Sequence, residues 1–414
     1  MKCFLLGNGF DLHHALPTRY IDIMRIFNFW TDNNDNNYDT IGDLLENYYK
    51  YSLNRNIQDD FLRNHYQSHK EKLYNVRIDN NDIALKFSTC FWFEYFRDTR
   101  FDNIGWIDFE KEIQRVLSIF KYIFDNAHLS NELPPNINIP SIKIPSEPSS
   151  SNPPKISIRY LDKEISRKED GCVSVNIDKS FYNNNPYSST QKFNIDKISE
   201  FLYDQLNIAK EIIGFYIIKF IDSVLTPDMQ SRSLSFINEA DCIINLNYSN
   251  TVQSVYNLNS TICHYHGMAT ENIVLGINSS TEDEFSNSNS NTTFIAFEKY
   301  FQRIFLNYDA GYLNLIEKLK KVQYSKSKNI KQNELLIIGH SINSADKDVI
   351  EELFEANDKI IVFYHNDKAL GEYIKNIVEI FGKIRFWAMR KERMLEFRKL
   401  DAYTTKKAKA FNNL

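Results

Sequence analysis

The chain has 414 residues, 43% of them apolar and 14% aromatic, with a net charge of −5. That length holds two average domains or one core with a large insertion, and the apolar share excludes a disordered chain. A nearly balanced charge leaves no broad electrostatic footprint for nucleic acid, which is not expected as a partner.

Taken in chain order, Lys2–Leu6 is a continuous apolar run of the kind found in strands covered on both faces. It delivers into Gly7-Asn8-Gly9-Phe10-Asp11, followed by Leu16-Pro17-Thr18. A strand feeding a Gly-x-Gly turn at a helix start can aim backbone N–H groups at a phosphate. The third glycine of the dinucleotide fingerprint is missing, so the same residues also fit a tight turn packing a helix on a strand.

Ile41–Asn54, Asp60–Val76, Asp82–Thr99, Asp108–Ala127 and Ile195–Leu225 carry apolar residues at helical spacing, with Asp108 as an N-cap. Residues 30–238 therefore read as a mainly helical insertion. Within it, Leu133–Lys155 is rich in Pro, Ser and Asn and reads as an exposed loop, with Ile156–Val175 as a small hairpin.

The next strand, Asp241–Leu246, ends in polar amides that place Asn247 at the sheet's ligand edge, although Asn also serves turns and caps. Thr261–His266 follows, and period-two alternation puts His264 and His266 on one face, with Gly267 opening space beside His266. No Cys, Asp or Glu shows ligand spacing to them, so no metal is expected. Ile273–Ile277 reads as a further strand, and Ser279–Thr292 as a polar loop.

Glu334–Ile338, a short helix Asp346–Ala356 and Lys359–Tyr364 make a βαβ unit. Gly339-His340-Ser341 then ends a strand as an anion or ribose contact, with Asn343 or Ser344 as a helix cap in the alternative. Ser341 lacks the second glycine of a nucleophile elbow, so a serine hydrolase is not expected. Residues 389–414, with Arg390, Lys391, Lys406, Lys407 and Lys409, read as a solvated basic tail.

Glycine is scarce, at 12 in the chain, and five (Gly7, Gly9, Gly267, Gly276 and Gly339) stand at or just after strand-like runs. Ligands of open α/β sheets bind beyond the carboxyl ends of strands. An α/β fold is expected, its core from residues 1–29 and 239–388. The five cysteines show no CxxC spacing, so neither disulfide framework nor zinc ribbon is expected. Gly7 interrupts the N-terminal apolar run and no stretch approaches the ~20 apolar residues that span a bilayer. A cytoplasmic protein with no membrane partner is expected.

Together, four segments in this order resemble the AbiH family of bacterial abortive-infection proteins. They are Gly7-Asn8-Gly9-Phe10-Asp11-Leu12 with Leu16-Pro17-Thr18 and Tyr20; Asn247-Tyr248-Ser249; His264-Tyr265-His266-Gly267; and Ile338-Gly339-His340-Ser341 with Asp346. Trp106-Ile107-Asp108-Phe109-Glu110 and Lys299-Tyr300-Phe301-Gln302-Arg303 are also similar to stretches of that family. More distantly, the pattern is similar to sirtuin-like domains, including those of antiphage NAD-degrading enzymes.

The resemblance implies a Rossmann-like, sirtuin-like parallel sheet that binds NAD as substrate. It implies that Asn247 orients the nicotinamide ribose or the attacking water, and that His266 is the base. Gly7, Asn8, Gly9, Asp11, Thr18, Ser249, Gly267, Gly339, His340 and Ser341 would line the nucleotide site. Without a four-cysteine zinc module after His266-Gly267, protein deacylation is not expected. A phage-derived trigger and self-association are the implied partners. The alternative is a non-catalytic sensor or partner-binding protein that keeps the nucleotide fold.

Overall fold

The computed structural model describes residues 1–33, 38–57, 59–79, 82–98, 109–125, 141–143, 156–161, 172–183, 192–227, 229, 234–256, 258–278, 293–324 and 332–400. Six strands form one parallel sheet: β1 (Lys2–Leu6), β2 (Cys242–Asn245), β3 (Thr261–His264), β4 (Glu334–Ile338), β5 (Lys359–Tyr364) and β6 (Leu395–Lys399). Their spatial order is β6-β5-β4-β1-β2-β3. Strand β1 lies between β2 and β4, with Cys3 opposite both Cys242 and Leu335. The chain therefore winds one way from β1 to β3 and the other way from β4 to β6.

Alternation sorts the strand residues onto two covered faces. Cys3, Leu5, Ile244, Leu335, Ile337 and Ile360 pack against helices α11 (Asp309–Tyr324), α12 (Lys347–Ala356) and α13 (Asp367–Lys391). Phe4, Leu6, Ile243, Leu336, Ile338 and Ile361 pack instead against Phe236, Val252, Val255 and Tyr256. Each fully buried aliphatic side chain of this kind contributes roughly 1.5–3 kcal/mol. Burial on both faces is why the strands read as unbroken apolar runs.

The insertion builds its own core. Helices α2 (Tyr20–Asp32), α3 (Ile41–Asn54), α4 (Asp60–Leu73), α5 (Asp82–Thr89), α6 (Phe91–Asp98), α7 (Phe109–Asp125) and α8 (Ile195–Tyr216) share a cluster containing Phe27, Phe87, Trp92, Phe96, Phe109 and Tyr216. The rings pack closely, with Phe27 and Phe87 stacked 5.1 Å apart and Phe96 and Phe109 tilted at 3.9 Å. The high aromatic content is spent largely here.

Several expected elements differ in detail. The helix read across Asp82–Thr99 breaks at Cys90, because the Phe91 N–H is donated to the Gln205 side chain of α8 at 2.8 Å. The stretch after Tyr216 widens into a π turn, Ile217–Ile221, and then tightens into a 3₁₀ turn, Asp222–Val224. Ile273–Ile277 is not a strand: its ends make single bridges, Gly267 to Ile273 and Ile277 to Glu298. The hairpin is present, as antiparallel Ile156–Leu161 and Cys172–Ile177. Ser141–Lys143, inside the expected Pro-rich loop, pairs with Cys172–Ser174. Residues 395–399, inside the expected basic tail, form edge strand β6. Most of residues 133–155, the loop 279–292 and Asp108 lie outside the described residues. Cys3, Cys90, Cys242 and Cys263 are buried and free. Among the described residues, no helix is long and apolar enough to cross a membrane.

Two turns lock β1 to β4 at the carboxyl edge. Gly7 donates its N–H to Ile338 O at 3.0 Å and Gly9 to Gly339 O at 2.8 Å. A Cβ on Gly9 would lie 2.6 Å from Gly339 Cα, and one on Gly339 would lie 2.1 Å from Phe10 N. Gly339 also adopts φ +68°, a left-handed conformation that penalises any side chain. Gly339→Ala and Gly9→Ala should each cost about 3 kcal/mol or more of stability, read from urea unfolding. Gly371→Ala, in open space on α13, should be neutral or slightly stabilising. Equal behaviour of the three variants would refute this account.

Candidate functional site

The sequence places its polar segments at the carboxyl ends of β1, β2, β3 and β4, and the structure brings most of them together there. The turn after β1 enters α1 (Asn8–His13). Its glycine amides are committed to the β4 turn, so Gly7 and Gly9 act through close approach. Asn8 is exposed at the tip, where Thr18 Oγ1 donates to its Oδ1 at 2.6 Å. Phe10 points into the core against the sheet.

Asp11 is buried and accepts a hydrogen bond from Ser249 Oγ at 2.6 Å, and Ser249 lies 2.9 Å from Thr251 Oγ1. Burial pushes the Asp11 carboxyl up to about 6, against the opposing pull of its Ser249 and Thr251 hydrogen bonds. Asn247 is fixed in the same layer, its Nδ2 donating to Gly7 O at 3.1 Å and its N–H to Asn245 Oδ1 at 3.1 Å. The β1 and β2 loops are thus one hydrogen-bonded unit.

His264 and His266 do not act as a pair. The strand ends at His264, whose Nε2 contacts Gln253 of α9 (Thr251–Val255). His266 lies in the following turn and approaches Asp346, which follows β4. Strands β3 and β4 are separated by β1 and β2, so their loops arch over the edge of the sheet to meet.

Asp346 is the hub. His340 Nε2 lies 3.0 Å from its Oδ2, while Lys299 Nζ and His266 Nε2 lie 2.8 and 3.1 Å from its Oδ1. Ile342 N–H donates to His340 Nδ1 at 3.0 Å, which fixes the tautomer so that His340 Nε2–H faces Asp346. Ile342 holds φ +54° to do this, a strained value for a β-branched residue. Lys299, on α10 (Lys299–Phe305), is 1% exposed and also pairs with Glu110 of α7 at 2.7 Å.

The electrostatics follow from this shared carboxylate. Burial alone would raise the Asp346 pKa, but Lys299, His266 and His340 hold it well below the usual carboxylate range. Burial and the Lys299 charge push His266 down from its usual range, against the opposing pull of Asp346. His266 Nε2 has no aligned hydrogen bond despite the short distance, and Lys299 Nζ lies 2.8 Å from the same Asp346 Oδ1. What the geometry supplies is a buried imidazole nitrogen, beside a carboxylate, that is left without an aligned partner.

Sequence reasoning missed Lys299 and Arg303 as site residues and read Glu110 and Asp346 as helix-start acids. The available signal was the four-residue spacing of Lys299 and Arg303, which puts two cations on one helix face. Ser341 turns away from the cluster at its backbone, where its carbonyl accepts from Asn376 of α13 at 2.9 Å. Gly267 turns the chain after His266 with φ +76°. Among the described residues, no group of three or more His, Cys, Asp and Glu side chains is arranged to hold a metal ion. A surface concavity of about 440 Å³ lies away from this site, lined by Phe354, Asn357, Arg385 and Met389.

The family model for bacteriophage abortive infection AbiH matches residues 3–365, and the chain belongs to that family. Membership implies a role in abortive infection by phage. Neither the curated proteins nor the solved structures contain a match.

The raised Asp11 pKa has a definite consequence for stability. Folded Asp11 holds its proton more tightly than the unfolded residue, so its contribution is full below about pH 4 and is lost as pH rises to about 6. Asp11→Asn should remove up to about 3 kcal/mol of this decline. Urea midpoints between pH 4 and 7 check it; a variant with the wild-type pH slope would exclude Asp11 as the source.

Proposed function

We propose that this member of the AbiH family is an antiphage effector that binds NAD or a related nucleotide at the carboxyl edge of its sheet and hydrolyses it. The observation that carries the reading is a gathering of unmatched polar atoms at that edge. Asp11 Oδ1, Asn245 Nδ2 and His264 Nδ1 are buried without a hydrogen-bond partner, and His266 Nε2 meets Asp346 at 3.1 Å without an aligned bond. Seven further such atoms are scattered among the described residues, but these four stand at or just beyond the ends of adjacent strands, where one polar ligand would satisfy them.

Strand order supports a Rossmann-like core. Read along the sheet it is 3-2-1-4-5-6, and dinucleotides bind such sheets at the switch point between strands 1 and 4. Here that point is the Gly7–Gly9 and Gly339 contact. In the proposed reaction, water attacks C1′ of the nicotinamide ribose and the C–N bond breaks. Its electron pair passes to the ring nitrogen, which releases neutral nicotinamide. Asn247, pinned to Gly7, orients the ribose or the water, and His266 takes a proton from a ribose hydroxyl or from the water.

A second reading is a nucleotide-binding sensor without turnover, acting through partner recognition. The near-complete burial of Asn247, Ser249 and His266 favours it. Free nicotinamide, assayed after incubating the purified protein with NAD in the presence and absence of lysate from phage-infected cells, separates the two. The hydrolase reading expects release that falls by about 100-fold or more in His266→Ala. Binding by calorimetry without any release would establish the sensor instead.

A further inference from the structure

We propose that Lys299 is the phosphate-binding residue of this nucleotide site, and that Glu110 holds the place a phosphate would take. The inference rests on the nucleotide reading above and assigns the anionic half of the ligand. It begins from the commitment of the Gly7 and Gly9 amides to Ile338 and Gly339. A diphosphate on this edge needs another source of positive charge.

The described residues supply one. Lys299 is buried to 1% exposure, where an ammonium group is stable only if paired. Its two carboxylates differ in kind. Asp346 is structural, since it also orients His340 and lies against His266. Glu110 comes from the first turn of the insertion helix α7 and keeps 17% of its side chain exposed, against 9% for Asp346 and 1% for Lys299. Phe109 stacks on Tyr20 at 4.2 Å and positions that turn over the site.

A second cation lies one turn along the same helix. Arg303 contacts Asp348 and sits over the Tyr265 ring at 4.1 Å, yet its buried Nη1 has no hydrogen-bond partner. Its positive field reaches His266. A phosphate exchanging with Glu110 would retain an anion on Lys299 and release a carboxylate that already touches water. The ligand class is a phosphate-bearing nucleotide.

Calorimetry with inorganic pyrophosphate and with ADP-ribose tests the proposal on the full chain, with thermal melting to confirm folding. Glu110→Gln should bind both about 10-fold more tightly than wild type. Glu110→Asp, one methylene shorter, should tighten binding less and guards against misfolding of the first variant. Lys299→Arg should retain binding, and Lys299→Met combined with Glu110→Gln should abolish the gain. Unchanged or weaker affinity in both folded Glu110 variants would overturn the proposal, as would a gain that survives Lys299→Met. Because binding is read without turnover, tighter pyrophosphate binding with no nicotinamide release would sink only the hydrolase reading. Hydrolysis with unchanged pyrophosphate affinity would sink only this one.

Discussion

The contact between the β1 turn and the β4 turn governs the rest of the molecule. Three glycines let two backbones meet at a separation that no side chain permits. That meeting sits where the sheet reverses its winding direction, the point at which an open α/β sheet normally leaves a crevice. Here the crevice floor is backbone. Asn247 reaches the same spot by donating to Gly7 O, and His340 follows directly after Gly339. The site is consequently assembled on top of the turns rather than inside them.

Above that floor, a single carboxylate organises the buried polar cluster. Asp346 is shared by two histidines and a lysine, a dense arrangement whose desolvation cost offsets much of its Coulomb energy. Its effect is better understood as arrangement than as stability. It receives the face of His340 whose tautomer the Ile342 N–H fixes, and it pulls His266 upward while burial and the Lys299 charge push that histidine down. Lys299 extends the network across the boundary between core and insertion through Glu110. The helical insertion therefore contributes a carboxylate to this cluster.

Much of the core was legible because its strands are buried on both faces and so appear as unbroken apolar runs. Strand β6 was not, since Leu395-Glu396-Phe397-Arg398-Lys399 is an edge strand whose charges read as a solvated tail. Ile273–Ile277 carries the same apolar signal as a strand, yet it packs into the insertion's core instead. Asn247, His266 and Ser249 were visible at strand ends. Lys299 and Glu110 were not, because a buried ion pair made by helices far apart in sequence leaves no local pattern. His264 and His266 alternate as strand neighbours, but the strand stops between them, and alternation lost its meaning there.

The central place of β1 in the sheet also sets the order in which the molecule assembles. Its partners begin at Cys242 and Glu334, so the first strand made is among the last to be paired. Throughout synthesis of the insertion, Cys3–Leu6 emerges without either neighbour. The helical unit, held by contacts closer in sequence, is the part able to condense first. The sheet, its switch point and the cluster around Asp346 then form as a late, cooperative step, completed only once the carboxyl-terminal third of the chain has been made.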